Sequence, residues 1–365
     1  MTRQNDGVDD SHVSADRSTD RSTDRLAERP AGGATDRRAV WASRGRPADP
    51  DADPLQDHLD QVRPRAGEDG FLEHLGDAHH ALMVRAGSTL LVEFDTLANV
   101  RARGDLWSAG LARKRGWSTL SVIAHGSSWF RDPALFDAFD AWTDEGLFDA
   151  FDQVVFAGGG MGAYGAAAYS VAAPGATVVL IDPIATLDRA VTSWERRFRR
   201  SWALSFGPRY GYGPAMADAA SRVFVVSDPH DAPGAMHAAL YRGDHVVQLR
   251  APFAAPDIWR QMESMNILDR MIAGAAGGTL TPLRFAQLWR ARRGDPRHAR
   301  RLMRNLDGTD KPWLTAVLSG HMLSHDGHPA ARRRLKVALA ELQARGRSAP
   351  DIADTPPVQA LLAGE

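Results

Sequence analysis

Residues 154–169 read Val154-Val-Phe-Ala-Gly-Gly-Gly-Met-Gly-Ala-Tyr-Gly-Ala-Ala-Ala-Tyr169, an apolar run, a knot of glycines and a stretch of small residues. Few backbones accept that order. A run that is apolar on both faces belongs to a strand buried inside a sheet, and the glycines permit a turn that residues bearing a Cβ avoid. The small residues beyond the turn suit a helix lying close against that sheet. The segment therefore predicts one βα unit of an α/β fold.

The flanking sequence repeats the theme. Apolar runs at Leu90–Phe94, Thr119–Ile123, Gln153–Phe156, Thr177–Ile181, Arg222–Val226 and His245–Leu249 predict strands, and Leu106–Arg115, Pro133–Thr143, Gly162–Val171 and Ala232–Leu240 predict the helices between them. Alternation of this kind gives a mostly parallel sheet with helices on both faces. Beyond Pro252 the strand signals stop. Helical patterns follow at Pro282–Arg293, Pro296–Leu306, Pro312–Ser324 and Pro329–Arg345, each with proline in its first turn, where the missing N–H is not needed. The expected division is a disordered extension over 1–70, an α/β domain over 71–275, helical hairpins loosely similar to tetratricopeptide repeats over 280–347, and a tail over 348–365. The extension contains the tract Asp16-Arg-Ser-Thr-Asp-Arg-Ser-Thr-Asp-Arg25 and too little apolar surface to offset its ordering entropy.

Composition excludes whole classes of chemistry. With no cysteine among 365 residues there is no disulfide framework, thiolate metal site or catalytic thiol. No apolar run approaches the ~20 residues that cross a bilayer, and the charged N-terminus lacks the apolar core of a signal peptide, so a cytoplasmic location is expected. His74, His79 and His80 are not spaced as ligands on one helix face, and no metal or resident cofactor is expected.

The glycine turn supports two readings. In one, Gly158-Gly-Gly-Met-Gly162 fills the frame of a nucleophile elbow, G-x-S-x-G, with Gly160 in the serine position. Here the sequence resembles the α/β-hydrolases, in particular relatives with a Ser-Met-Gly-Gly elbow. The likeness rests on Gly-x-x-Met-Gly-x-Tyr-Gly-Ala and the following strand Val178-Val-Leu-Ile-Asp-Pro183. It covers roughly residues 88–257, with a weaker match at Trp129-Phe-Arg-Asp-Pro133. The resemblance implies an acid after a late strand, at Asp228 or Asp231, with His230 beside it, and a pocket or oxyanion site near Met161, Ser127, Ser128 and Trp129. It also implies a histidine after the last strand, where Ala254, Ala255 and Pro256 stand instead. The expectation is a hydrolase-like protein without a working Ser-His-Asp triad, serving as a scaffold for a small-molecule ligand or a protein. Should activity persist, it would act on esters or acyl groups through a displaced nucleophile such as Ser127 or Ser128.

In the other reading, Gly160, Gly162 and Gly165 form G-x-G-x-x-G, and Asp182 ends the next strand, as for an NAD(P)- or FAD-binding oxidoreductase. Parallel strands before Val154 in the same sheet would favour the elbow. Residues 281–347 hold fifteen Arg/Lys against five Asp/Glu, so an acidic protein partner is expected there. Without interleaved aromatic residues, nucleic acid is disfavoured.

Overall fold

The computed structural model describes residues 54–348 apart from 208 and 327–328. Most of the predicted extension and the tail from 349 onward lie outside the described residues. Eight strands form one sheet: β1 (Phe71–Leu75), β2 (His79–Val84), β3 (Thr89–Thr96), β4 (Ser118–Ala124), β5 (Gln153–Gly159), β6 (Thr177–Ile181), β7 (Arg222–Ser227) and β8 (Val246–Arg250). Their order is β1-β2-β4-β3-β5-β6-β7-β8, and β2 alone runs against the others. This is an α/β-hydrolase-like sheet. Two parallel strands, β3 and β4, precede β5 within it.

Thirteen α-helices are described. Those before β5 are α1 (Pro54–Val62), α2 (Leu97–Arg103), α3 (Ala109–Arg115) and α4 (Pro133–Asp144). Through β8 follow α5 (Met161–Tyr169), α6 (Gly213–Met216) and α7 (Ala232–Ala238). After it come α8 (Ile258–Ser264), α9 (Leu268–Ala276), α10 (Pro282–Trp289), α11 (Pro296–Leu306), α12 (Pro312–Asp326) and α13 (Pro329–Ala344). No helix among the described residues is long and apolar enough to cross a membrane.

Strand alternation sorts side chains onto two faces. On β3, Leu90, Val92 and Phe94 enter the core shared with α4 and α5, whereas Leu91 enters the core shared with α3, α8, α9 and α10. Several helices start on a capping residue followed by proline. Asp132 accepts from Ala134 N at 2.9 Å, Thr281 from Arg284 N at 3.1 Å and Asp295 from Arg297 N at 2.9 Å.

The structure adds to the sequence reading in several places. Order begins before Phe71: Leu59 and Val62 of α1 are buried, because the apolar residues of 54–62 share one face and pack against Leu82, Val100 and Ile123. The antiparallel strands β1 and β2, and α8 and α9 between Ile258 and Ala276, were not anticipated. Within the basic tail, α10 packs on the α/β body. Phe285, Leu288 and Trp289 of α10 belong to the core beneath the sheet, so the separate core of the tail starts at α11 and comprises α11, α12 and α13. Trp129 is buried in the core on the α5 face.

Candidate functional site

The β5–α5 turn is sharp. Gly160 adopts φ 57° and ψ −115° at the N-cap of α5 without a capping side chain. Its N–H donates to Ile181 O at 2.9 Å, and its carbonyl accepts from Tyr164 N at 3.2 Å. The neighbouring glycines are there for contact. A Cβ on Gly158 would lie 2.2 Å from Gly162 O, one on Gly162 2.2 Å from Phe94 O, and one on Gly165 2.6 Å from the Phe94 ring. A Cβ on Gly159 would meet the Trp259 ring at 2.6 Å. Gly160 differs, since a Cβ there would meet nothing within 4 Å. The turn is thus sharp, with open space above its central residue and no side chain to fill it.

Above the turn lies a cavity of about 240 Å³. Gly159, Gly160 and Ile181 lie beneath it, Asp95, Asn99 and Arg103 line one side, and Pro256, Trp259 and Glu263 line another. It sits where the chain order reverses, between β3 and β5, at the carboxyl ends of parallel strands. Asp95 is tightly engaged: it accepts from Thr96 N at 2.7 Å, from Asn99 Nδ2 at 2.8 Å and from the Arg103 guanidinium. Burial still holds its carboxyl above the ordinary range. Arg103 also approaches Glu263, at 3.7 Å.

Asp182, at the end of β6 with φ 53°, reaches the same cavity. Burial pushes its carboxyl up to about 6, with Arg197 opposing the rise and Asp231, Asp228 and Glu195 adding to it. Trp107, 8 % exposed, completes the wall, and its indole N–H has no protein partner.

The expected acid stands behind this cavity, not in it. Asp228 is buried and accepts from His230 N at 2.9 Å, Phe253 N at 3.0 Å and Ala255 N at 3.0 Å. Its oxygens bind the loop after β8, the segment where a catalytic histidine was sought. His230 is exposed and stacks on Phe253 at 4.0 Å. Asp231 caps α7 through Gly234 N at 2.9 Å and pairs with Arg197 at 3.3 Å.

The cavity therefore brings Gly160 and Asp182 together, with Gly162 and Gly165 packed on Phe94 beneath the turn, while Asp228, Asp231, His230, Met161, Ser127, Ser128 and Trp129 are not among its lining residues. Met161 packs against the core on the α5 face, and Trp129 donates from Nε1 to Ser201 Oγ at 2.7 Å. Ser127 is exposed. Ser128 Oγ lies 2.6 Å from His79 Nε2 and accepts from Phe130 N at 3.2 Å. His79 Nδ1 is buried without a partner, and burial pushes this imidazole down to about 4.

A second polar cluster lies behind Asp182. His237 Nδ1 accepts from Ala185 N at 3.2 Å, so its proton resides on Nε2, which donates to Glu195 at 3.0 Å. Burial pushes His237 down to about 4. Burial alone would raise Glu195, but hydrogen bonds and charge from Arg197 outweigh it and hold the carboxyl below its ordinary range. No group of three or more metal-ligating side chains occurs among the described residues, although His328 lies outside them.

No family model matches this chain, and no curated protein matches it. Solved structures do. The thermostable carboxylesterase EstE1, from a metagenomic library, is similar at 15 % identity over 66 % of this chain and 98 % of its own, with a TM-score of 0.38. A hyperthermophilic esterase from the archaeon Pyrobaculum calidifontis is 15 % identical over 66 % and 92 %, with a TM-score of 0.36. The capsule O-acetyltransferase of Neisseria meningitidis serogroup A is 10 % identical over 58 % and 99 %, with a TM-score of 0.36. At these scores the likenesses add nothing to what the sheet order already shows.

Sequence reasoning missed Asp95, Asn99, Arg103, Trp107, Trp259 and Glu263. Only Glu93 and Asp95, two acids inside an otherwise apolar strand, carried a readable signal.

Proposed function

We propose that this chain is a hydrolase-like protein without a working triad, whose cavity above Gly160 binds a small ligand. The observation that carries the reading is the pairing of an elbow that has no nucleophilic side chain with an acid whose oxygens are engaged by the loop after β8. A glycine offers nothing to attack a carbonyl, and a carboxylate that anchors backbone N–H groups does not orient a general base. Occupancy of the cavity is supported by the unpartnered Trp107 N–H in its wall, since buried donors are normally satisfied.

The alternatives have less support. A dinucleotide needs close backbone approach at the second glycine of its motif, but Gly162 faces Phe94 O, and 240 Å³ lies below the roughly 300–1,000 Å³ of pockets for drug-sized ligands. A displaced hydrolase at Ser128 has His79 as its neighbour, but no acid orients that imidazole and its basicity is low.

Two measurements test the reading. The protein is expected neither to turn over short acyl esters nor to be labelled by a serine-directed fluorophosphonate, while a small-molecule library gives saturable thermal shifts that Trp107→Phe weakens. Ester turnover with labelling at any serine overturns it, as does a dinucleotide shift abolished by Asp182→Ala.

A protein-binding role is favoured by one further observation. Arg297, Arg300 and Arg304 are exposed on one face of α11, and none has a carboxylate within 4 Å among the described residues. An acidic protein partner suits that row. Binding of a polyglutamate peptide, weakened by salt and by the pair Arg297→Glu and Arg300→Glu, is the expected result; no binding at low salt removes this reading.

A further inference from the structure

The helical tail has an open groove bounded by its three helices. Met303 and Leu306 of α11, Pro312 of α12, and Val337 and Ala338 of α13 contribute apolar lining to a space of about 270 Å³. Val337 is 59 % exposed, the largest exposure of any large apolar side chain on α13, although its neighbours Ala338 and Leu335 are buried. Arg333 and Arg334 flank the groove. Arg334 is paired with Asp307 at 2.8 Å, while Arg333 has no ion-pair partner among the described residues.

The chain supplies an occupant of matching character. After α13, Gly346 takes φ 63°, and Arg347 N donates to Leu342 O at 2.9 Å, which ends the helix and redirects the chain. The last residues read Asp351-Ile-Ala-Asp-Thr-Pro-Pro-Val-Gln-Ala-Leu-Leu-Ala-Gly-Glu365. Thr355-Pro356 repeats the Thr281-Pro282 opening of α10, in which Thr281 Oγ1 accepts from Arg284 N. Val358, Leu361 and Leu362 then fall at i, i+3 and i+4, an apolar stripe on one helix face. Asp351 and Asp354 precede the stripe and bring negative charge to a groove edged by Arg333. Reach is ample. From the end of α13 back to Val337 is about 10 Å at 1.5 Å per residue, and the residues between Arg347 and Pro356 extend to roughly 30 Å.

We propose that the C-terminal segment of this same chain, residues 351–365, docks in the groove between α11, α12 and α13, placing Val358, Leu361 and Leu362 on Val337 and its apolar neighbours and Asp351 and Asp354 beside Arg333. The exposed valine is then covered. A second copy of the chain or a separate protein would compete with this segment for the same surface.

The absence of native cysteine makes the test clean. In the full chain, Val337→Cys is combined with Leu361→Cys, and a control combines Leu361→Cys with Arg113→Cys on the exposed side of α3. A disulfide forms only when the two Cα atoms come within about 7 Å. Under mild oxidation at micromolar protein, the Val337 pair is expected to give an intrachain disulfide at several times the yield of the control. Equal yields in the two pairs overturn the proposal, and so does a product that is mainly a crosslinked dimer, which would assign the groove to a second copy. A separate readout guards against a misfolded variant. In a Val337→Asp chain whose circular dichroism and main melting transition match the unsubstituted protein, limited proteolysis is expected to cut between residues 348 and 365 several-fold faster. An unchanged cleavage rate in that folded variant counts against docking.

Discussion

Replacing Gly160 by serine and Gly162 by alanine separates the two jobs that the glycine turn performs. At Gly160 a side chain has open space, with no atom within 4 Å of the Cβ, but the backbone lies at φ 57° and ψ −115°. Holding a residue other than glycine there costs on the order of 1–3 kcal/mol, partly offset by the ~0.4–1 kcal/mol gained when glycine leaves the unfolded chain. A net loss of about 1–2 kcal/mol is expected. At Gly162 the balance reverses. The Cβ would lie 2.2 Å from Phe94 O, the carbonyl of a central strand, so α5 must move away from β3. Overpacking of that kind costs typically 1–3 kcal/mol and sometimes more, and the backbone contact puts this case at or beyond the upper end. The ~1 kcal/mol gain in helix propensity does not recover it. Urea denaturation of the three proteins gives the ordering directly. Gly160→Ser is also expected to remain inert towards acyl esters, because Asp228 stays bound to Phe253 N and Ala255 N. Gly162→Ala proving milder than Gly160→Ser would refute the packing argument; ester turnover by Gly160→Ser would refute the reading of Asp228.

Three further outcomes are expected. Asp228→Ala strips acceptors from three part-buried backbone N–H groups and is expected to cost at least about 3 kcal/mol in urea denaturation, from the low end of ~1–3 kcal/mol for each group left unpaired; a loss under 1 kcal/mol would mean the loop is held otherwise. Because Trp289 is 2 % exposed in the core beneath the sheet, Trp289→Ala is expected to cost about 3–5 kcal/mol. A chain ending at residue 294 should keep the cooperative melting of the α/β body, whereas one ending at 280 should not. Glu93 is wholly buried, accepts from Ser108 Oγ at 2.8 Å and from Ser121, and is pushed up to about 7 by burial, so its neutral form stabilises the fold below about pH 4.5 and that contribution is lost as pH rises through 7. Glu93→Gln should therefore gain relative to the unsubstituted protein between pH 5 and pH 8, by at most about 3 kcal/mol; a flat difference would show that Glu93 ionises freely.

Much of the architecture was legible because it rests on local rules. The run Thr177–Ile181 is a strand with those same bounds, and Pro296–Leu306 is a helix with those same bounds, the one marked by a doubly buried Val/Leu/Ile run and the other by an Asp-Pro start. β1 and β2 were not legible. Phe71-Leu-Glu-His-Leu75 has charged and polar residues at the edge of the sheet, and its pairing with β2 is set by tertiary register, not by its own pattern. The same holds for α8 and α9, each shorter than ten residues and without the side-chain cap and proline that open α4, α10 and α11.

The candidate site was legible at its floor and hidden at its walls, for a physical reason. A backbone that turns sharply and lets a helix approach a strand needs glycine at fixed offsets, so Gly158, Gly160, Gly162 and Gly165 appear in sequence as a motif. Those offsets are required by packing whether the floor of the site holds a nucleophile, a phosphate or nothing. The same glycines therefore fitted both an elbow and a dinucleotide loop. What distinguishes them is which Cβ position is open, and that depends on Phe94 and Trp259, residues 68 positions before and 97 after Gly162 in a chain folded around them. The walls come from Asp95, Arg103, Trp107 and Glu263, each fixed by partners on other elements. Asp228 shows the converse. Its place after β7 was readable, but its partners were not: Phe253 N and Ala255 N, in the loop where a histidine was sought, donate to its carboxylate. The residue type at position 228 was thus legible from the strand before it, whereas its engagement depends on how a loop 25 residues further along the chain is placed, which no local pattern encodes.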